Sequence, residues 1–312
     1  MLSLKFWKAI NNPPLSHPVF QYGTRIEQQI DLSQFDNRYI IRLMKMMLVI
    51  GTIRLVIHDP SLIVLLIFMA PILAVFLIIT ILVLLPLIVF AYGTFLATTI
   101  SLSISVEKKN NTYDLLCVSP DGPLTINWLI SNGVLHRNQL FDWLYAAIRI
   151  ANIIALVGLL IMVIVFSLMV ISMLSGNSIQ ALPDALRTLI EMMVLFAIFC
   201  TGYIQSVVLS VVIGLLIPQY NTDKYVAQPV AIASYIALQL GTYMVAFFLA
   251  FSLSTSLSGH YMVLDFFLPI LYFIIFFSIR ELVIGWLWRH IGYRINADPE
   301  DMRYLHALAR LG

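Results

Sequence analysis

The sequence predicts an all-α, polytopic membrane protein, and three observations carry that prediction. Residues 61–105 form a run of about 45 residues with no charged side chain. The chain is 61% hydrophobic and 11% charged, with mean hydropathy +0.93, a composition foreign to soluble domains of this size. Its lysines and arginines are gathered in a few segments between apolar runs.

An α-helix rises about 1.5 Å per residue, so the first run would measure roughly 67 Å, more than twice the ~30 Å hydrocarbon core of a bilayer. Two spans use that length, 62–82 and 85–105, joined by a tight outer turn over 83–86 where Pro86 helps end a helix. Further apolar runs at 150–174, 185–217, 229–253 and 263–287 are each long enough to cross. The expectation is six spans within 61–288.

Basic residues accumulate on the cytoplasmic side of a span. Lys5, Lys8, Arg25, Arg38, Arg42, Lys45 and Arg54 precede span one, and Lys108, Lys109, Arg137 and Arg149 lie between spans two and three. Lys224 lies between spans four and five, and Arg289, Arg294, Arg303 and Arg310 follow span six; Arg187 alone falls at an outer end. One span in place of the first two would put the N-terminus and the basic 108–149 segment on opposite sides. Both termini are therefore expected in the cytoplasm, with the chain in the plasma (inner) membrane.

The N-terminal segment, 1–60, does not read as a secretory signal: its first 35 residues carry Pro13, Pro14, Pro18 and several charges, with no apolar core. Asp36 is placed to cap a helix over 37–58, with Arg38, Arg42 and Lys45 on one face and Ile40, Ile41, Met44, Met47 and Leu48 over the rest. Arg54 and the short apolar length make it an interfacial helix rather than a seventh span. Cys117 is expected in the cytoplasm and Cys200 within span four, so no disulfide joins them. The sequon Asn110-Asn111-Thr112 falls on the side that glycosylation does not reach.

In lipid, close backbone approach through small residues is the signature of helix contact. Span two carries Gly93, Ala97, Ser101 and Ser105 at intervals of four, span four carries Gly202, Ser206, Ser210 and Gly214, and span five carries Ala233, Ala237 and Gly241. Each set shares a helical face. Packing within one subunit and contact between subunits are both open readings of these stripes.

Span four exceeds the ~20 residues a crossing needs and holds Thr201, Gly202, Tyr203, Gln205 and Ser206 in its middle. Such a cluster either glues helices together or lines a wet translocation path. Charges in the apolar runs read as terminal: Arg187 and Glu191 at the outer end of span four, Asp265 at the outer end of span six, and Arg280 and Glu281 towards its inner end, where they can snorkel. Without a charge at mid-membrane, an ion-coupled transporter is disfavoured.

The chain has no phosphate-binding glycine loop, no His-Glu-x-x-His pair and no Gly-x-Ser-x-Gly elbow, and its six histidines are scattered singly. It is not expected to be an enzyme, to hold a metal or cofactor, or to bind nucleic acid.

After span two the sequence reads as a helical elbow over 107–146. Asn110 and Asn111 tolerate the left-handed conformation that ends a helix, Thr112 can cap a short helix through Leu116, and Asp114 favours the dipole in its first turn. Residues 119–123, Ser-Pro-Asp-Gly-Pro, break the chain before an amphipathic stretch over 124–145.

This elbow resembles the cytoplasmic loop of type-2 ABC exporter permeases: an acidic-basic run, Gly-Thr, an acidic residue followed by two leucines, then Thr/Ser-Pro. The matching positions are Glu107, Lys108, Thr112, Asp114, Leu115, Leu116, Ser119 and Pro120; Asn111 stands for the usual glycine and Lys109 for the usual second acidic residue. The order of interfacial helix, six spans and elbow between spans two and three is similar as well. The resemblance implies a permease that pairs with a second permease, as homodimer or heterodimer, and binds separate ATP-binding ABC subunits that carry the ATP and Mg. It makes Glu107, Lys108, Lys109, Asn110, Asn111, Thr112, Tyr113, Asp114, Leu115 and Leu116 the coupling element through which the ATPase rocks the attached spans. An exporter is the direction implied, with cargo open. The alternative is a non-transporting membrane scaffold that retains the permease architecture. The tail, 289–312, has a helix start at Asp298-Pro299.

Overall fold

A computed structural model describes residues 1–25, 87–117, 122–137, 167, 182–221, 223–257 and 262–297. The chain divides into two compact units, Met1–Ile26 with Ile88–Gly312, and Glu27–Leu87; the described residues belong, Leu87 apart, to the first. The fold is all-helical, with no strand among the described residues. Among the described residues four helices are long and apolar enough to cross a membrane: Leu87–Lys109, Met193–Gln219, Tyr225–Leu253 and Phe267–Arg294. The expected spans at 62–82 and 150–174 and the interfacial helix at 37–58 lie outside the described residues, Ser167 apart.

In chain order the helices are α1 (Leu2–Asn11), α2 (Pro18–Arg25), α3 (Leu87–Lys109), α4 (Thr112–Cys117), α5 (Gly122–Arg137), α6 (Leu182–Leu216), α7 (Lys224–Leu257) and α8 (Met262–Arg294). α6 runs on into a 3-10 turn, Ile217–Gln219, carrying Pro218. α7 begins ahead of Pro229, and α8 continues past Leu287 to Arg294, with Asn296 just beyond its end at a left-handed φ of 52°. There Ile295 and Ala297 N–H groups reach the Ile291 and Gly292 carbonyls at 3.0 Å, closing the last turn.

α1 and α2 form where the sequence shows only a charged, proline-bearing lead over 1–35. α1 buries Ser3, Phe6, Ala9 and Ile10, spaced for one helical face. Phe6 packs on Trp128 of α5 and Trp288 of α8 at ring separations of 5.3 and 4.6 Å, and Trp7 meets Tyr203 of α6 at 5.3 Å. Aromatic pairs of this kind each add about 0.5–1.5 kcal/mol beyond area burial.

Both ends of α1 are satisfied by side chains from elsewhere. Glu281 of α8 accepts from the N–H groups of Leu2 and Ser3 and from the Ser3 hydroxyl. At the other end, Asn132 of α5 donates to the Ala9 carbonyl at 3.3 Å and His136 Nε2 donates to the Ile10 carbonyl at 2.7 Å. A ten-residue helix is marginal alone; tertiary capping of its orphan groups and burial of its aromatic face hold it.

α5 departs from the expected amphipathic stretch. Every residue from Leu124 to Leu135 is buried, including Thr125, Asn127, Ser131 and Asn132. The reason is α2, which lies across α5 so closely that a Cβ on Gly133 would stand 2.9 Å from the Gly23 backbone and the Phe20 carbonyl. What the sequence offers as a solvent face is the seat of α2.

Candidate functional site

Asn111 has φ 58°, so the turn between α3 and α4 is left-handed where asparagine tolerates it. The elbow that follows is divided by burial into an anchored set and a free set. Glu107 is only 4% exposed, and its carboxylate accepts from Tyr22 Oη of α2 at 3.1 and 3.2 Å and from the Thr112 hydroxyl. Thr112 Oγ1 also lies 3.1 Å from the Glu107 carbonyl, so this hydroxyl ties the elbow back to α3. Lys108 Nζ donates to the Pro218 carbonyl at 3.0 Å and Gln219 Oε1 at 2.6 Å, fastening α3 to the end of α6, and lies 4.8 Å over the Tyr113 ring. Tyr113 is buried and its hydroxyl accepts from Asn127 Nδ2 at 2.7 Å. Burial pushes its phenol well above the usual tyrosine range, and burial followed by the Glu107 charge raises Tyr22.

Lys109, Asn110, Asn111, Asp114 and Leu115 face outwards, and Leu116 is half-buried. Leu115 is 77% exposed beside Asp114. Of the ten residues of the sequence motif, Glu107, Lys108, Thr112 and Tyr113 hold the elbow, while Lys109, Asp114 and Leu115 are exposed.

The polar residues at the middle of α6 turn to different partners among the described residues. Thr201 donates to the Ala197 carbonyl of its own helix at 2.7 Å, Tyr203 faces Trp7 of α1, and Gln205 Nε2 reaches the Phe277 carbonyl of α8 at 3.2 Å. Ser206 alone among them enters a buried network. Its hydroxyl donates to the Gly202 carbonyl at 2.8 Å and accepts from Gln239 Nε2 at 2.9 Å and Arg280 Nη2 at 2.8 Å, which uses its full capacity.

Arg280 corrects the expectation that the charges of span six sit near its inner end and snorkel. α8 runs to Arg294, so Arg280 lies thirteen residues after Phe267 and fourteen before Arg294, at the middle of the candidate span. It is 1% exposed. Besides Ser206, the guanidinium donates to Gln239 Oε1 at 2.9 Å and Tyr243 Oη at 3.0 Å, and its carbon lies 5.1 and 5.5 Å from the Tyr243 and Phe276 ring centres. The argument against an ion-coupled route from the lack of a mid-membrane charge thus loses its ground. The sequence reading passed over Gln239 and Tyr243 and set Arg280 at a helix end; the signal was Gln239 standing alone in an otherwise apolar stretch.

Two of the small-residue stripes meet. Gly214 of α6 would place a Cβ 2.8 Å from Ile100 Cβ and 3.1 Å from the Ala97 carbonyl of α3, and Gly93 of α3 leaves the space filled by Tyr235 of α7. Ala97, Ser101, Ser105 and Ser210 are fully buried along this contact, while Gly202 faces Arg280 and Phe276. The stripe on α7 lies elsewhere: Ala233 and Ala237 are exposed and nothing stands within 4 Å of a Cβ on Gly241. α7 packs instead through Ala227, Ala231, Tyr235, Gln239, Thr242 and Ala246.

Comparison of the chain with protein-family models, with curated proteins and with solved structures gives no match.

Proposed function

We propose that this chain is the membrane-spanning permease subunit of an ATP-driven transporter of the type-2 ABC exporter kind, powered by a separate ATP-binding subunit. In this reading six spans cross the plasma (inner) membrane with both termini in the cytoplasm, and ATP and Mg reside on the partner. The observation that carries it is Leu115, exposed beside Asp114 on a short helix whose opposite side is pinned by Glu107, Lys108 and Tyr113. Leu115 on a rigidly held helix has the placement a docking contact requires, and fastening to α3 and α6 lets a push on α4 reach two spans as one body. Ala233 and Ala237 on the open face of α7 give a second permease a surface for close approach.

The test is a mild-detergent pull-down of the tagged chain with mass spectrometry of its partners, comparing the wild type with Leu115→Asp and Asp114→Lys. Leu115 makes no hydrogen bond in the anchored set, so Leu115→Asp is expected to melt as the wild type does, while Asp114→Lys gives up a favourable charge near Lys108 and in the first turn of α4, on the scale of about 0.3–1 kcal/mol. An ATP-binding subunit retained by the wild type and lost with the variants supports coupling through α4. A well-folded wild type that brings down other proteins but no ATPase overturns the transport reading in favour of a membrane scaffold.

A further inference from the structure

The last turns of α8 carry a sorted face. Leu282, Trp286, Arg289 and Tyr293 recur at intervals of four, three and four, and all four are exposed. Ile284, Leu287, Trp288 and Ile291, on the other side, are buried. Along the exposed strip apolar bulk comes first, then an indole, then a cation and a phenol at the end of the candidate span. A bilayer changes from hydrocarbon to headgroup in the same order.

A second row stands beside the first. Trp286, His290 and Arg294 are four apart on α8, and Tyr220, at the end of α6, slots between the last two. The His290 ring lies nearly parallel to those of Trp286 and Tyr220, at 5.6 and 6.1 Å, and its Nε2 is hydrogen-bonded to the Tyr220 hydroxyl. The guanidinium carbon of Arg294 sits 4.6 Å over the Tyr220 ring. That contact restrains Arg294 and consumes none of its N–H donors.

Among the described residues neither Arg289 nor Arg294 meets a carboxylate. Arg289 makes one long bond, from Nε to the Gly285 carbonyl at 3.4 Å, and Arg294 makes the ring contact. No acidic residue occurs from Leu282 to Ala297, and Glu281 is engaged with α1. Two exposed guanidiniums with unused donors complement a phosphate. The cation of a zwitterionic headgroup would find no acid on this strip.

We infer that this face binds an anionic phospholipid of the bilayer, with its phosphate at the Arg289 and Arg294 end of the strip and an acyl chain along Trp286 and Leu282. A soluble anion would make no use of the exposed apolar half, which is what assigns the occupant to lipid. The site goes beyond the transport reading, because it requires no ATPase.

The experiment places the full chain in nanodiscs of equimolar phosphatidylglycerol and phosphatidylcholine and counts the lipids kept by the released protein in native mass spectrometry. The wild type is expected to keep phosphatidylglycerol over phosphatidylcholine by about fivefold or more, the scale of one guanidinium at an anionic surface. Arg289→Gln with Arg294→Gln should bring the ratio near one. Lys5→Gln with Lys8→Gln removes the same charge from exposed positions on α1 and should leave the ratio unchanged. Excess inorganic phosphate should not displace the lipid. Equal retention of the two lipids by the wild type overturns the proposal; so does an equal loss in both double variants, which reports diffuse charge, and so does displacement by inorganic phosphate, which reports a soluble anion. Arg289→Gln alone gives up only the long bond to Gly285, should already lower the ratio, and carries the test if the double variant fails to fold. Lipid is scored without the ATPase, so failure here leaves the transport reading standing, and a missing ATPase leaves the lipid site standing.

Discussion

The carboxylate of Glu281 caps the helix that contains Ser3, 278 positions away in the chain: Ser3 donates to it through its backbone N–H at 3.1 Å and its hydroxyl at 2.6 Å. A side chain in α8 thereby does for α1 what a local N-cap residue does, and adds negative charge at the positive end of the helix. Glu281→Ala is expected to cost about 1 kcal/mol, the scale of a lost N-cap. Hydrogen exchange in the first turn of α1 should quicken, with little change in α3. Glu281→Gln, which keeps an acceptor without the charge, should fall between the two.

Gly133 and Gly241 predict opposite outcomes for one chemical change. At Gly133 an added methyl meets Gly23 backbone and the Phe20 carbonyl at 2.9 Å, and backbone cannot step aside as a side chain can. Gly133→Ala should destabilise by about 1–3 kcal/mol, as overpacking does. At Gly241 the methyl enters open space within α7, so Gly241→Ala should gain up to about 1 kcal/mol of helix propensity. Melting temperatures in one detergent decide both.

How much of this was legible follows from what each feature depends on. The long helices α3, α6, α7 and α8 were legible because apolar length alone sets them, and so was the left-handed turn at Asn111. α1 was hidden because its stabilising contacts, Glu281, Trp288, Asn132 and His136, are all distant in sequence. α5 was misjudged because its polar residues Thr125, Asn127, Ser131 and Asn132 suggest a wet face that α2 and Tyr113 in fact occupy. Arg280 was misplaced because the apolar run stops at Leu287 whereas the helix continues to Arg294, which moves the middle of the span. In α7, small residues recur on two faces, and spacing does not tell which face is covered.

Cys117 offers a pH-dependent test of the elbow. Burial is the first cause raising its thiol above the ordinary range; the Tyr113 hydrogen bond opposes it, the Asp114 charge raises it further and Lys108 lowers it. Only the thiolate alkylates. In a Cys200→Ala background, Cys117 should react slowly with iodoacetamide at neutral pH, with a rate still climbing where an ordinary thiol has levelled. Asp114→Asn removes a charge that disfavours the thiolate and should speed the reaction at a given pH. Burial of this kind also makes stability present below the ordinary thiol pKa and lost as pH rises through the elevated one.

Gln239 and Gln205 look alike in sequence, each a single glutamine within an apolar helix, yet the structure gives them different weight. Gln205 donates to the Phe277 carbonyl, a neutral contact between two helices. Gln239 accepts from the Arg280 guanidinium through Oε1 and donates to Ser206 through Nε2, so it both neutralises part of a buried charge and orients the next acceptor. Interhelical hydrogen bonds in membranes average about 0.6 kcal/mol, whereas those to a charged group reach about 1.5–3 kcal/mol. Gln205→Leu should therefore cost near the lower figure and Gln239→Leu near the upper, measured by reversible unfolding in mixed micelles. Replacing Arg280 by Met at the same time as Gln239 by Leu should recover most of the loss, because the penalty is an uncompensated cation rather than a missing contact. A double-mutant cycle with coupling near zero would show that Gln239 serves only to pack.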